Sequence, residues 1–128
     1  MSYYFNKTVA LPFDEAVERV KAELKKDGFG IMTEIDVQKT LKDKIGVEFR
    51  KYRILGACNA PFAYKALQAE DKIGTMLPCN VIVQELGPGR VEVAAIDPVA
   101  SMAAVQNPAL AGVGAEVREK LKAVVDRL

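Results

Sequence analysis

Histidine and tryptophan are absent from this 128-residue chain, and cysteine occurs only twice. Without histidine, the commonest general base at neutral pH and the commonest zinc ligand are both missing. Serine is scarce too. Ser2 and Ser101 are the only two, and with no histidine to activate them a serine nucleophile elbow is excluded. Neither sign of charge prevails: 18 basic and 17 acidic residues leave a net charge of +1, with no like-charge run. That excludes the basic stripe of a nucleic-acid surface and the polybasic patch of a membrane-binding one. Long apolar runs are missing as well. The alanine-rich region from Val91 to Ala115 is broken by Asp97, Pro98, Asn107 and Pro108, so it cannot supply the roughly 20 continuous apolar residues of a span. Neither nucleic acid nor a membrane is expected as a partner.

The opening stretch MSYYFNKTVALPFDEA lacks a basic start followed by an apolar run, so a cytoplasmic location with reduced thiols is expected. Gly28-Phe29-Gly30 and Gly87-Pro88-Gly89 have neither the lysine-serine pair of a phosphate loop nor the spacing of a dinucleotide fingerprint. No cofactor is expected.

What is present is ordinary for a globular protein. Half the residues are hydrophobic and 27% are charged. A single domain over residues 1–128 is expected, burying roughly two-thirds of its unfolded surface without help from a disulfide or a metal.

Along the chain, Ser2 to Ala10 reads as a first strand. Phe13, Val17, Val20 and Leu24 recur at spacings of four, three and four, the apolar stripe of an amphipathic helix, and Gly28 is its stop. Phe29 to Ile35 is a second strand, with Phe29, Ile31 and Ile35 on one face. Asp36 caps a short helix whose apolar side is Val37, Leu41 and Ile45. The third strand, Val47 to Ala57, changes parity near Arg50-Lys51. This implies either a bulge there or a strand that begins only at Tyr52. Ala60 to Ala69 is helical, with Pro61 in its first turn. Cys79 to Leu86 and Val91 to Ile96 form a hairpin about Gly87-Pro88-Gly89. Asp97-Pro98 and Asn107-Pro108 both start helices. The second is long, with Leu110, Val113, Val117, Leu121, Val124 and Leu128 as its buried stripe.

This order implies an α+β fold: an antiparallel sheet of about five strands, with two long helices on one face and short helices in the connections. The other face also carries valine, isoleucine and leucine. A second copy of the chain is expected to cover it, making a homodimer.

Both cysteines lie between Tyr52 and Val83, and each is followed by asparagine. Cys58-Asn59 ends one strand and Cys79-Asn80 begins another. The thiols are 21 positions apart, which excludes a C-x-x-C motif but allows contact between neighbouring strands. Such a pair can cycle to a disulfide, carry sulfane sulfur or hold a soft metal. Equally, each is a small buried hydrophobe. Two asparagines beside them suggest an ordered polar pocket, because a buried amide needs several partners. Pro78 sets where the fourth strand begins. Glu34 and Asp36 are two apart in an extended segment and share a face, with Lys42 or Lys44 as partners for Glu34. Asp97 ends the fifth strand. Paired carboxylates can do acid–base work, but capping is the favoured duty of Asp36 and Asp97. With two thiols and no histidine, no metal site is expected.

In order, Gly28-Phe29-Gly30, Glu34-Ile35-Asp36-Val37, Ile54-Leu55-Gly56-Ala57-Cys58-Asn59, Leu77-Pro78-Cys79-Asn80-Val81 and Asp97-Pro98 resemble the family called domain of unknown function 302. The likeness runs from about Val9 to about Leu121. In the family a proline usually follows the first Cys-Asn pair directly; here Ala60 intervenes before Pro61. The resemblance implies a small prokaryotic domain with an antiparallel sheet backed by helices. It implies no activity.

Three functions compete. The first is a small-molecule binding or sensing module with its pocket at Cys58, Asn59, Cys79 and Asn80, bordered by Glu34, Asp36 and Asp97. The second is a thiol redox enzyme or sulfur carrier, which needs a lowered thiol pKa. The third is a structural homodimeric module. The residues favour the first; the family resemblance does not select between a binding pocket and catalysis.

Overall fold

Two amphipathic helices and one sheet account for the layering of the molecule. The computed structural model describes residues 2–128. The strands are β1 (Tyr4–Val9), β2 (Gly30–Asp36), β3 (Tyr52–Cys58), β4 (Cys79–Gly87) and β5 (Arg90–Ile96). The helices are α1 (Phe13–Lys26), α2 (Val37–Ile45), α3 (Ala60–Ala69), α4 (Pro98–Ser101) and α5 (Ala111–Asp126). Short 3-10 turns lie at Ile73–Met76 and Pro108–Leu110. The strands form one sheet in the order β1-β5-β4-β3-β2, every neighbouring pair antiparallel. The fold is α+β, as the element order implies.

α1 buries Phe13, Ala16, Val17, Val20 and Leu24, with acids in its first turn and lysines in its last, matching the helix dipole. It stops at Gly28, whose φ of 85° is open to glycine at little cost. α5 buries Val117, Leu121, Val124 and Val125. Both helices lie on the face formed by odd-numbered residues of the three central strands. Leu55, Ala57, Val81, Val83, Val91, Val93 and Ala95 are all essentially inaccessible there. A smaller apolar cluster of Ala66, Ile73 and Leu110, with Leu77, Met102 and Val105 against it, sits apart under α3. No described helix is long and apolar enough to cross a membrane.

The structure decides between the two alternatives for β3 and revises two other sequence expectations. β3 starts at Tyr52, and residues 47–51 are irregular. That segment is pinned by Gln38, whose Nε2 donates to the Phe49 carbonyl at 2.9 Å. In β2 the register slips between Ile31 and Thr33. Ile31 therefore pairs with Ala57 on the helix side, while Ile35 pairs with Ile54 on the open side. An extra residue at Met32 reverses the alternation, as bulges do. Finally, Asn107 caps the 3-10 turn through Ala109 N at 3.0 Å, and α5 proper starts at Ala111.

Gly56 is required by a crossing of side chains, not by its backbone angle. A Cβ there would overlap the Thr33 hydroxyl and lie 2.7 Å from Pro78 Cγ. Gly56→Ala is therefore expected to cost about 2 kcal/mol, as overpacking typically does. Thr33→Ala in the same chain should recover part of the loss. Urea denaturation midpoints of the three proteins check this. An unchanged midpoint for Gly56→Ala would show that the crossing yields freely.

Candidate functional site

Antiparallel pairing brings the two thiols to one end of the sheet. Ala57 is the register partner of Cys79, and Cys58 is the next residue along. Both cysteines are free. Cys79 is buried and Cys58 half-buried. They line a common cavity of about 30 Å³ with Phe29, Phe62, Leu77, Met102, Val113 and Val117 among its walls. That is room for about one water molecule. Asn59 is the only other polar side chain in the lining.

This environment protects the thiols from ionisation. Burial, with the nearby Cys58 adding to it, pushes the Cys79 thiol up from its usual 9.0 to about 11. Burial also pushes Cys58 up, although α3 begins two residues later. Low-dielectric surroundings disfavour the thiolate more than the helix terminus favours it. Both groups are neutral thiols at neutral pH.

The other expected site residues do not all converge on this cavity. Asn59 stands at the N-cap of α3, but its side chain makes no cap bond. Its Nδ2 instead donates to the Asp27 carbonyl at 3.3 Å. A Cβ on Gly28 would lie 3.1 Å from that same nitrogen. Asn59 thus straps the start of α3 to the turn between α1 and β2. Asn80 is exposed on the opposite face of the sheet, where it borders a separate hollow. Consecutive strand residues point to opposite faces, so Cys79 and Asn80 cannot enter one pocket.

The acids form two further groups. Glu34 and Asp36 do share a side, converging on Arg53. Glu34 Oε2 lies 2.6 Å from Arg53 NH1, and Asp36 Oδ2 lies 3.8 Å from NH2. Glu34 Oε1 pairs with Lys21 at 2.7 Å, so Lys21 and Arg53 take the place expected of Lys42 or Lys44. The bond from Lys21, then that from Arg53, holds the Glu34 carboxyl below its ordinary range against the opposing effect of burial. Asp36 caps α2 through Lys39 N at 3.0 Å. Asp97 is 9% exposed and caps α4 through Val99 N at 3.0 Å, while Arg118 Nε donates to its other oxygen at 3.2 Å. Among the described residues no three His, Cys, Asp or Glu side chains gather as a metal cage.

Two features lay outside the sequence reading. Met102, Pro98 and Gly114 wall the thiol cavity and also a neighbouring one of about 270 Å³. On the open face a polar chain crosses three strands and the segment before β3. Arg50 Nε donates to Gln84 Oε1 at 2.8 Å, Gln84 Nε2 to Glu92 Oε1 at 2.7 Å, and Asn6 Nδ2 to Glu92 Oε2 at 3.0 Å. Alternation along each strand signals the face these residues share, but not their mutual contacts.

The model of the family described as Domain of unknown function DUF302 matches residues 5–128. A crystal structure of an uncharacterized conserved DUF302 protein from Bacillus stearothermophilus is similar to this chain. It is 27% identical, covers 99% of this chain and 98% of its own, and superimposes with a TM-score of 0.90. No curated protein matches.

The raised Cys79 thiol makes a pH prediction. A group whose folded pKa exceeds its unfolded one stabilises the fold below the unfolded value, and that contribution is lost as pH rises through the folded one. Between about pH 9 and about pH 11 the protein should therefore lose about 2 kcal/mol more stability than Cys79→Ala does. Urea denaturation of both proteins at the two pH limits measures the difference. Parallel losses would mean that Cys79 ionises freely in the folded state.

Proposed function

The chain belongs to the DUF302 family, and we propose from its geometry that it is a binding module for a small, largely apolar molecule. One observation carries this reading. Two apolar cavities lie back to back, the smaller lined by Cys58 and Cys79 and the larger by neither, at the seam between the main core and the smaller cluster under α3. They share Pro98, Met102 and Gly114 as a wall. Methionine is the most adaptable apolar side chain. Rotation of Met102 would join the cavities into one of about 300 Å³, the lower end of the range for small-molecule sites. The thiols and the Asn59 amide supply the few polar atoms that orient a ligand in such a site.

The pocket proposed here keeps Cys58, Cys79 and Asn59 from the sequence reading. It leaves Asn80, Glu34, Asp36 and Asp97 to other duties. Thiol chemistry draws no support from the geometry, because both cysteines are held protonated and a nucleophilic cysteine needs the thiolate.

A neutral naphthylamine fluorophore serves as the probe. Saturable binding to the untouched protein is expected. Met102→Ala should tighten it and Gly114→Leu, which fills the shared wall, should weaken it by about tenfold, the worth of 1.4 kcal/mol. Far-ultraviolet circular dichroism checks that both variants fold. Absence of saturable binding to the parent and to Met102→Ala would overturn the proposal, as would binding indifferent to Gly114→Leu.

A further inference from the structure

The open face of the sheet has a pattern that its register makes legible. Its residues fall in three rows across the strands. The first row runs Thr8, Glu92, Gln84, Tyr52; the second Asn6, Ala94, Ile82, Ile54, Ile35; the third holds Tyr4, Ile96, Asn80 and Gly56. The middle row is an apolar stripe bounded by polar groups. Within it a hollow of about 360 Å³ lies over Ala94, between Tyr4 and Tyr52. Charge on the face is sparse. Glu92 is the one acid in these rows; it and Arg50 belong to the chain of hydrogen bonds already described, and Arg90 stands at the margin, two positions before Glu92 on β5.

We propose that this face binds a second copy of the chain, about a two-fold axis running along β4 between the two sheets. β4 is the central strand of five. Rotation about a line parallel to it sets β5 of one protomer over β3 of the other, and β4 over β4. Each row then faces the same row of the partner copy. Ile54 of each copy enters the hollow over the other's Ala94. The Tyr52 hydroxyl of each meets the other's Glu92 carboxylate. Ile82, Gln84 and Asn80 meet their own counterparts on the axis. Large side chains oppose small ones and the buried carboxylate gains a donor, as an isologous interface requires.

The competing two-fold axis, across the strands, fails on the same residues. It sets Ile54 against Ile54, leaves Ala94 facing Ala94 over a void, and buries the Glu92 carboxylate against Ile96 with its bonds from Gln84 and Asn6 but no donor from the partner copy, which is costly for a charge. Size is adequate for the proposed arrangement. Five strands about 4.8 Å apart and about 20 Å long present about 500 Å² each, so the pair buries about 1,000 Å², the threshold of a specific interface. Two sheets packed face to face in this way, about 10 Å apart, form the core of a β-sandwich.

Sedimentation equilibrium of the full chain at micromolar concentration tests the state, and oxidative cross-linking of single substitutions tests the axis. A dimer is expected. Asn80→Cys should cross-link through the two substituted positions, identified as a linked peptide by mass spectrometry, so that the native thiols do not confuse the result. Asn6→Cys should not, because the proposed axis holds the two copies of Asn6 about 19 Å apart across the sheet. Ala94→Arg, with unchanged circular dichroism, should give a monomer. A parent monomer would overturn the proposal, including one whose hollow holds a small molecule instead. Cross-linking at position 6 and not at position 80 would overturn the axis. Naphthylamine binding is read independently, since the thiol-side cavity lies on the opposite side of the sheet.

Discussion

Burial of the odd-numbered residues of β3, β4 and β5 beneath α1 and α5 is the constraint on which the rest of the molecule depends. Leu55, Val81, Val83, Val91 and Val93 are essentially without solvent contact, and each contributes roughly 1.5–3 kcal/mol by leaving water. A slip of one residue in any central strand would exchange these for Ile82, Gln84, Glu92 and Ala94. The parity is therefore enforced across the sheet. It decides which cysteine is buried and which asparagine is exposed. It also decides that Glu92 and Gln84 lie with Ile54 and Ile82 on the uncovered side.

Much of this was legible in the chain. The four-three-four spacing from Phe13 to Leu24 gave α1, and the proline and glycine positions gave the ends of α3, α4 and the β4–β5 hairpin. The duties of Asp36 and Asp97 followed from their places before helices. What was not legible depends on long-range contact. Nothing local marks Met32 as an extra residue, because the bulge is defined by its partner strand. The partners of Glu34 come from α1 and β3, 13 and 19 positions away. Asn59 reads as a pocket residue because it follows Cys58, yet its amide is held by a turn 32 positions earlier. The division between Cys79 and Asn80 was available from alternation alone.

The two faces of the sheet are built on different terms. The helix face is closed by aliphatic packing and relieves its few charges at the rim, where Arg53 lies 5.6 Å over the Phe13 ring and Arg118 lies 5.1 Å over Phe5. The open face distributes hydrogen bonds along one row and leaves hydrocarbon in the next. Thiols that stay protonated suit the first environment, where they pack as small hydrophobes.

The sheet order has a kinetic consequence. β1 pairs only with β5, with Tyr4 opposite Ile96 and Val9 opposite Val91. Its ladder closes a loop of more than eighty residues, at an entropic cost that grows with the logarithm of loop length. On a ribosome, β1 emerges early and has no template until β5 follows. The β4–β5 hairpin, joined by a turn of two residues, is the most local pairing in the sheet and the natural nucleus for it. The first strand made is then among the last to dock, and until it docks β5 is an unpaired edge.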